Sequence, residues 1–407
     1  MVAFLIGAIL GQGSMFAKIV PSPTGMNGYE EYLRAADIAN TPDFKAYGLW
    51  LQSRDTAYAP PQDVDPKDPD LVVRRKWADR FRACCSLIAR GNQKPVFDPR
   101  GEFTPETTFP EFSQFRQVIR LEAATAHVDF ADGQTGSGVR HVEDSIVFAG
   151  KIGGSLLIGR LVGMACDSLA FNELDDHWAQ LSLTDAQELE AFFGQRLGGP
   201  SPLAETVESE RKLGQLLIER MFSKPEDLAR EVGSEDDQVA LAAAIAKLDP
   251  GAMQQVRAAS AASIDAYYAT VASALTGPEP GWLTFKDPPD ASQADDSVQG
   301  LAARLVELQR VNMSHIFVRE AADRTRMRLA YLTAKAVEFR WLNGRLPTRI
   351  EEFSTLAERT DATSGRAFQY KRDGPWFKVT RDNKDALGGV GIFTASVPDP
   401  NAAPIRP

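Results

Sequence analysis

The sequence predicts a mainly α-helical protein: antiparallel helix pairs, helical-repeat-like, with a small C-terminal α+β hairpin element. Three observations predict it. Apolar residues return every three or four positions, most clearly at Phe112, Phe115, Ile119, Ala123, Ala126 and Phe130, the period of one helix face. Helix starts and stops are marked by caps, prolines and glycines. Alternation with a period of two is confined to the C-terminal stretch, around Phe368–Lys371 and Trp376–Val379, and reads as a β-hairpin.

Asn27 is placed to cap a short helix carrying Tyr29, Tyr32, Leu33 and Ala36. The prolines and aspartates of 55–70 predict an extended loop. A helix over about 70–90 follows, with Trp77, Phe81, Cys84 and Ile88 on one face and Arg74, Arg75, Lys76, Arg80, Arg82 and Arg90 forming its polar face; Gly91 suits its stop. Residues 92–110 read as loop. The clearest pair is 111–131 and the helix carrying Val139, Val142, Ile146 and Ala149, broken at Asp132-Gly133, with small Ala126, Gly138 and Ser145 where the two must approach. This resembles a degenerate tetratricopeptide-type unit without a second copy at a fixed period. Gly153-Gly154 interrupts the second helix before Leu156–Asn172. Thr184-x-x-Gln187 and Ser223-x-x-Glu226 have the capping-box form, and Asp249-Pro250 starts a helix reaching about Thr276. Val298–Asn343 is helical with a break near Asn312–Ser314, and Gly344 and Pro347 stop it. Thr348-x-x-Glu351 caps a short helix to about Leu356, and Ile392–Val397 adds a third strand. The expected domains are 1–20 as a signal peptide or membrane anchor, 21–276 as a helical domain, 277–297 as a linker, and 298–400 as the long helix and hairpin element.

Composition narrows the function classes. A 43% hydrophobic and 25% charged chain of 407 residues can bury a sizeable core. Its formal charge of −10 opposes a phosphate backbone, so nucleic acid is not an expected partner. Protein partners are left open. Cys84, Cys85 and Cys166 form neither a disulfide framework nor a zinc spacing, and read as small buried residues. Val2–Ala17 carries no charge. It is short of the about 20 residues a membrane span needs and fits the apolar core of a signal peptide, although no basic residues precede it. Export to, or tethering in, the cell envelope is the expected localisation, with a buried first helix as the alternative.

The C-terminal part, through Tyr331, Trp341-Leu342-Asn343-Gly344-Arg345-Leu346-Pro347 and Ser364-Gly365-Arg366-Ala367-Phe368-Gln369-Tyr370, resembles that of type II secretion pseudopilins. The same pattern, with Asn27-Gly28-Tyr29 behind an apolar anchor, resembles a group of uncharacterised, mainly helical bacterial envelope-type proteins. The prepilin cleavage motif of true pseudopilins is absent, so the resemblance does not imply pilus assembly. It implies no activity.

No residue is assigned as catalytic and no cofactor is expected. His141 with Glu143 and Asp144, and His127 with Asp129 on the facing helix, are candidates for a metal site between paired helices; the competing reading is surface residues near a hairpin turn. His177 and His315 show no partner pattern. Glu205, Glu208 and Glu210 with Arg211 are either an acid–base pair or a solvated helix face. Asp382-Asn383-Lys384-Asp385 offers oxygens to calcium, which some of the pseudopilins it resembles carry in this region, but Lys384 favours a polar turn. Gly133-x-x-Gly136-x-Gly138 follows no strand, and Gly150–Gly154 lacks a P-loop ending. The expected function is a binding or scaffold protein of the bacterial cell envelope. The alternatives are a hydrolase or metal-dependent enzyme using helix-borne carboxylates and a secretion-linked structural component.

Overall fold

The computed structural model describes residues 25–53, 70–100, 103, 107–154, 156–199, 201–223, 236–276, 279–289, 291, 294–361, 364–373 and 376–381. The expectations for residues 1–20, nearly all of the 55–70 loop, Pro225 and Glu226 of the second capping pattern, Asp382–Asp385 and Ile392–Val397 lie outside these residues.

Helices dominate, as the periodicity predicts. They are α1 (Gly28–Ala39), α2 (Pro42–Ser53), α3 (Asp70–Asn92), α4 (Glu111–Ala131), α5 (Thr135–Ile152), α6 (Leu157–His177), α7 (Leu183–Gly198), α8 (Leu203–Ser223), α9 (Asp236–Ala246), α10 (Pro250–Thr276), α11 (Val298–Gln309) and α12 (Met313–Asn343). Among the described residues the sheet is one antiparallel hairpin, β1 (Gln369–Asp373) and β2 (Trp376–Thr380), in the register Gln369 to Thr380 and Asp373 to Trp376. No described helix is long and apolar enough to cross a membrane.

Two compact units divide the chain. One holds residues 1–100, 108–202 and 322–407; the other holds 101–107 and 203–321. This differs from the expected boundaries. Residues 277–297 lie within the second unit and separate no domains, because α10 packs on both α8 and α11. The first unit's boundary falls inside α12.

In the first unit α4, α5 and α6 pack on one another, and α1 and α3 pack on each other and on α4. The stripe read from 111–131 is buried at Phe112, Phe115, Ile119, Ala126 and Phe130. Gly133, at φ +73°, makes the α4–α5 turn in a conformation that L side chains rarely adopt. The helices approach where the sequence places small residues. A Cβ on Gly138 would lie 2.7 Å from the Phe130 ring, and one on Gly163 would lie 2.5 Å from the Ala149 carbonyl oxygen. Gly91 sits within the last turn of α3 and does not stop it; Gly28 and Gly91 instead let α1 and α3 touch backbone to backbone, since a Cβ on Gly28 would fall onto the Gly91 carbonyl.

Asn27 caps α1 by accepting from the Tyr29 N–H at 3.0 Å, and its amide donates to the Phe97 carbonyl at 2.7 Å. The Tyr29 hydroxyl donates to Glu111 at 2.7 Å, and Arg100 joins them. The Asn27-Gly28-Tyr29 segment thus ties α1 to the strand of chain before α4. Two caps differ from expectation. The box at α7 is Ser182 with Asp185, because Asp185 accepts the Ser182 N–H at 2.9 Å while Ser182 caps the Asp185 N–H. After Pro347 the capping carboxylate is Glu352, one residue beyond Glu351, accepting from the Thr348 N–H at 2.8 Å; only a 3-10 turn, Ile350–Glu352, forms there. The hairpin buries Phe377 and Val379 against the core that includes Leu332, Ala336 and Leu346. Tyr331 and Lys335 on α12 both hold Glu358, at 2.6 and 2.7 Å.

In the second unit Val256, Ile264, Tyr268 and Val271 form the buried stripe of α10, and Asp249 caps its start, accepting from Gly251 and Ala252 at 2.8 and 2.9 Å. The break before α12 falls at Arg310–Asn312, slightly earlier than read, because Asp287 caps the new helix: it accepts from the Met313 and Ser314 N–H groups at 3.1 and 2.9 Å.

Two outcomes follow from these contacts. Gly28→Ala should lower urea-unfolding stability by about 1–3 kcal/mol, the cost of overpacking a closed contact; an unchanged midpoint would show that the helices have room to part. Burial pushes the Glu358 carboxyl up, but Lys335, the Thr355 backbone and Tyr331 outweigh it and hold it at about 2. A depressed carboxylate stabilises the fold above its unfolded pKa, and that contribution is lost as pH falls from about 4.5 towards 2. Glu358→Gln should therefore flatten the acid limb of thermal stability in that window and leave its shape above pH 6 unchanged.

Candidate metal centres

Paired helices that approach this closely bring side chains from adjacent turns into one layer, and two layers of donors form between α3, α4, α5 and α6. In the first, His127 on α4 meets Glu173 and His177, which sit one turn apart on α6 and share its face. His127 Nδ1 lies 2.7 Å from Glu173 Oε1, His177 Nε2 lies 2.9 Å from the same oxygen, and the two ring nitrogens are 3.3 Å apart. In a tetrahedral zinc site with bonds of 2.0–2.2 Å, neighbouring donors stand about 3.3 Å apart. The separation of the two nitrogens matches that spacing, and the two nitrogen–oxygen separations, at hydrogen-bond length, would each have to open by about half an ångström to admit an ion.

Glu173 and His177 are buried and His127 is half-buried. Burial raises the Glu173 carboxyl, yet the hydrogen bonds and charges of His127 and His177 prevail and bring it to about 2. Its other oxygen faces Arg74 Nη1 at 3.6 Å. Phe130 stacks on the His177 ring at 4.5 Å and fixes its plane. Beside the trio is a cavity of about 270 Å³, lined by Glu173 itself and by Arg74, Asn172, Asp176, Arg120 and Trp77. Two imidazoles and a carboxylate are the ligand set of three-ligand zinc sites that leave a position open, and of the three residues Glu173 lines the cavity.

The second layer holds Cys85 on α3, Glu122 on α4 and His141 on α5, whose donor atoms all lie within 4.8 Å of one another. His141 Nδ1 is 2.6 Å from Glu122 Oε2, and its Nε2 faces Asp129 at 3.7 Å. Glu122 is fully buried, and its Oε1 finds no hydrogen-bond partner among the described residues. An unsatisfied buried acceptor costs about 1–3 kcal/mol.

The sequence candidates are therefore only partly brought together. His141 meets Asp129, but Asp144 turns to the Asn92 amide at 2.7 Å, and Glu143 points elsewhere, pushed up to about 7 by burial and by Glu188 and Asp144. His127 joins α6 and not Asp129. His127 and His141 are half-buried and paired with carboxylates, unlike free surface residues at a turn. His177, read as unpartnered, sits in the first trio; the Glu173-x-x-x-His177 spacing was its available signal. Glu122, in the middle of an apolar stripe, was the signal for the second. His315 is exposed. Glu205 and Glu208 are exposed, Glu210 is half-buried, and Glu208 is held down by its hydrogen bond from Arg211 at 2.7 Å, which fits a solvated face at Glu205 and Glu208. Cys84, Cys85 and Cys166 are free and buried, and burial pushes the Cys84 thiol up to about 12.

The chain matches no protein-family model, no curated protein and no solved structure.

Proposed function

We propose that the chain is a divalent-metal-dependent protein of the hydrolase type, with His127, Glu173 and His177 as ligands and the adjoining cavity as the substrate site. The observation that carries this reading is the convergence of two imidazole nitrogens on one buried carboxylate oxygen, with the carboxylate's residue also lining the adjoining cavity. Zinc-class ions favour two histidines and a carboxylate with a fourth position left open, and such an ion lowers the pKa of bound water to about 7. The chain's own residues supply the rest. Glu173 offers one oxygen to the ion while the other stays near Arg74, which keeps the carboxylate from rotating. Phe130 holds the His177 ring. Arg74 and Arg120 place positive charge along the cavity, and Asp176, on the same face of α6 as Glu173, is in position to hold a proton-bearing ligand there. Among the described residues the trio offers three ligands, which favours hydrolysis over a purely structural ion, because structural zinc sites are closed by four protein ligands.

We also infer a cell-envelope location, supported by the uncharged Val2–Ala17 segment and by the sequence resemblance to envelope-type proteins. Within that setting a binding or scaffold role is the competing reading, and the same experiment separates the two.

Wild-type protein stripped with chelator should bind zinc, and Glu173→Ala or His177→Ala should each lose one equivalent by calorimetric titration. Hydrolysis of a p-nitrophenyl ester or phosphate should vanish on chelation, return with zinc, and fall about a hundredfold or more in Glu173→Ala, the scale of a lost Lewis acid. Zinc bound without turnover of any such probe would leave the binding or scaffold role; no zinc bound would end the proposal. For location, cell fractionation of the full chain should place it with the envelope and a form lacking residues 1–20 in the cytosol; identical soluble behaviour of both would refute it.

A further inference from the structure

Glu122 raises a problem that the first trio does not solve. It is a carboxylate with no exposed surface, one oxygen engaged by His141 and the other without a partner among the described residues. The atoms that surround it are not apolar. Cys85 Sγ approaches from α3 and His141 Nδ1 from α5, and all three donors lie within 4.8 Å of one another. An orphaned buried oxygen flanked by a thiol and an imidazole is the donor set of a soft-to-borderline cation.

We infer that Cys85, Glu122 and His141 form a second metal site, distinct from the first, that takes a thiophilic divalent ion of the zinc class. The charge balance suits a buried location. The Cys85 thiol proton leaves to solvent, so a thiolate and a carboxylate together neutralise the two positive charges of the ion. His141 binds neutral through Nδ1 and keeps its proton on Nε2, which faces Asp129 at 3.7 Å. A carboxylate behind a ligating imidazole is the usual device that fixes the ring and its tautomer. The half-buried His141 leaves a way in from the surface, whereas Cys85 and Glu122 are sealed. The neighbouring Thr125 hydroxyl, 3.7 Å from Cys85 Sγ, holds the sulfur on the Glu122 side of α3. Sulfur is what separates the two centres: the His127–Glu173–His177 trio has none.

The test is a cobalt titration of the full chain after chelator treatment, read by absorption. Cobalt bound to a thiolate gives a sulfur-to-metal charge-transfer band in the near ultraviolet, and cobalt at the first trio gives none. The wild-type chain should develop this band and saturate it by two equivalents, and Glu173→Ala, with the first trio disabled, should saturate it at one. Cys85→Ser should abolish it, Cys84→Ser should keep it, and Glu122→Gln should weaken the apparent affinity about tenfold or more. Glu173→Ala should leave the band intact while removing the separate equivalent of zinc. A folded wild-type chain without a thiolate band, or a band that follows Cys84 and survives in Cys85→Ser, would overturn the inference. Because the wild-type spectrum decides first, a variant that fails to fold does not shield it, and the outcome is independent of the first site.

Discussion

The close approach of α4, α5 and α6 is the constraint from which the rest of the first unit follows. Helices spaced by ordinary side chains sit 8–10 Å apart. Here Gly138 and Gly163 remove the spacers, and neighbouring atoms occupy the room their Cβ atoms would need. Long polar side chains on such faces cannot reach water. Glu122, Glu173 and His177 are sealed by that geometry and must find partners among themselves. The pairing of carboxylate with imidazole is therefore an outcome of packing, and it is repeated twice along α4, at Glu122 and at His127.

Each carboxylate–imidazole pair lies between two demands. Without a cation, a buried carboxylate is tolerated only because ring N–H groups donate to it. With one, the same nitrogens turn from donors to ligands. Glu173 receives two rings and faces an arginine. Glu122 receives one ring and leaves an oxygen idle. The two carboxylates differ in how completely the protein alone satisfies them, although they lie on packed neighbours of one bundle.

The fold was largely legible in the sequence because the period of apolar residues is a local property. Phe112 to Phe130 and the small residues opposite them announced the α4–α5 pair, and Asn27, Asp249 and Gly344 announced their caps and stops. Where the reading slipped, the competing partner was a near neighbour that can also accept a hydrogen bond: Asp185 for Gln187, Glu352 for Glu351. The domain boundary slipped for another reason. Proline and acidic content mark a loop, but whether a loop separates domains depends on which helices pack across it, and α10 packs on both sides. The donors were half legible. His127 and His141 stood out as residues, yet their partners come from helices distant in sequence. Glu173 lies 46 residues from His127, and no periodicity reports that meeting. Glu122 was hidden because a single acidic residue in an apolar stripe looks like a break in a pattern.

Phe130 carries a consequence of its own. One side of its ring fills the hollow at Gly138 and the other lies flat on His177. Position 138 is therefore a steric adjuster for an imidazole that it never touches. Enlarging it would push the ring, and the ring would push the histidine, so that a change at a solvent-hidden glycine would be felt by an imidazole on another helix.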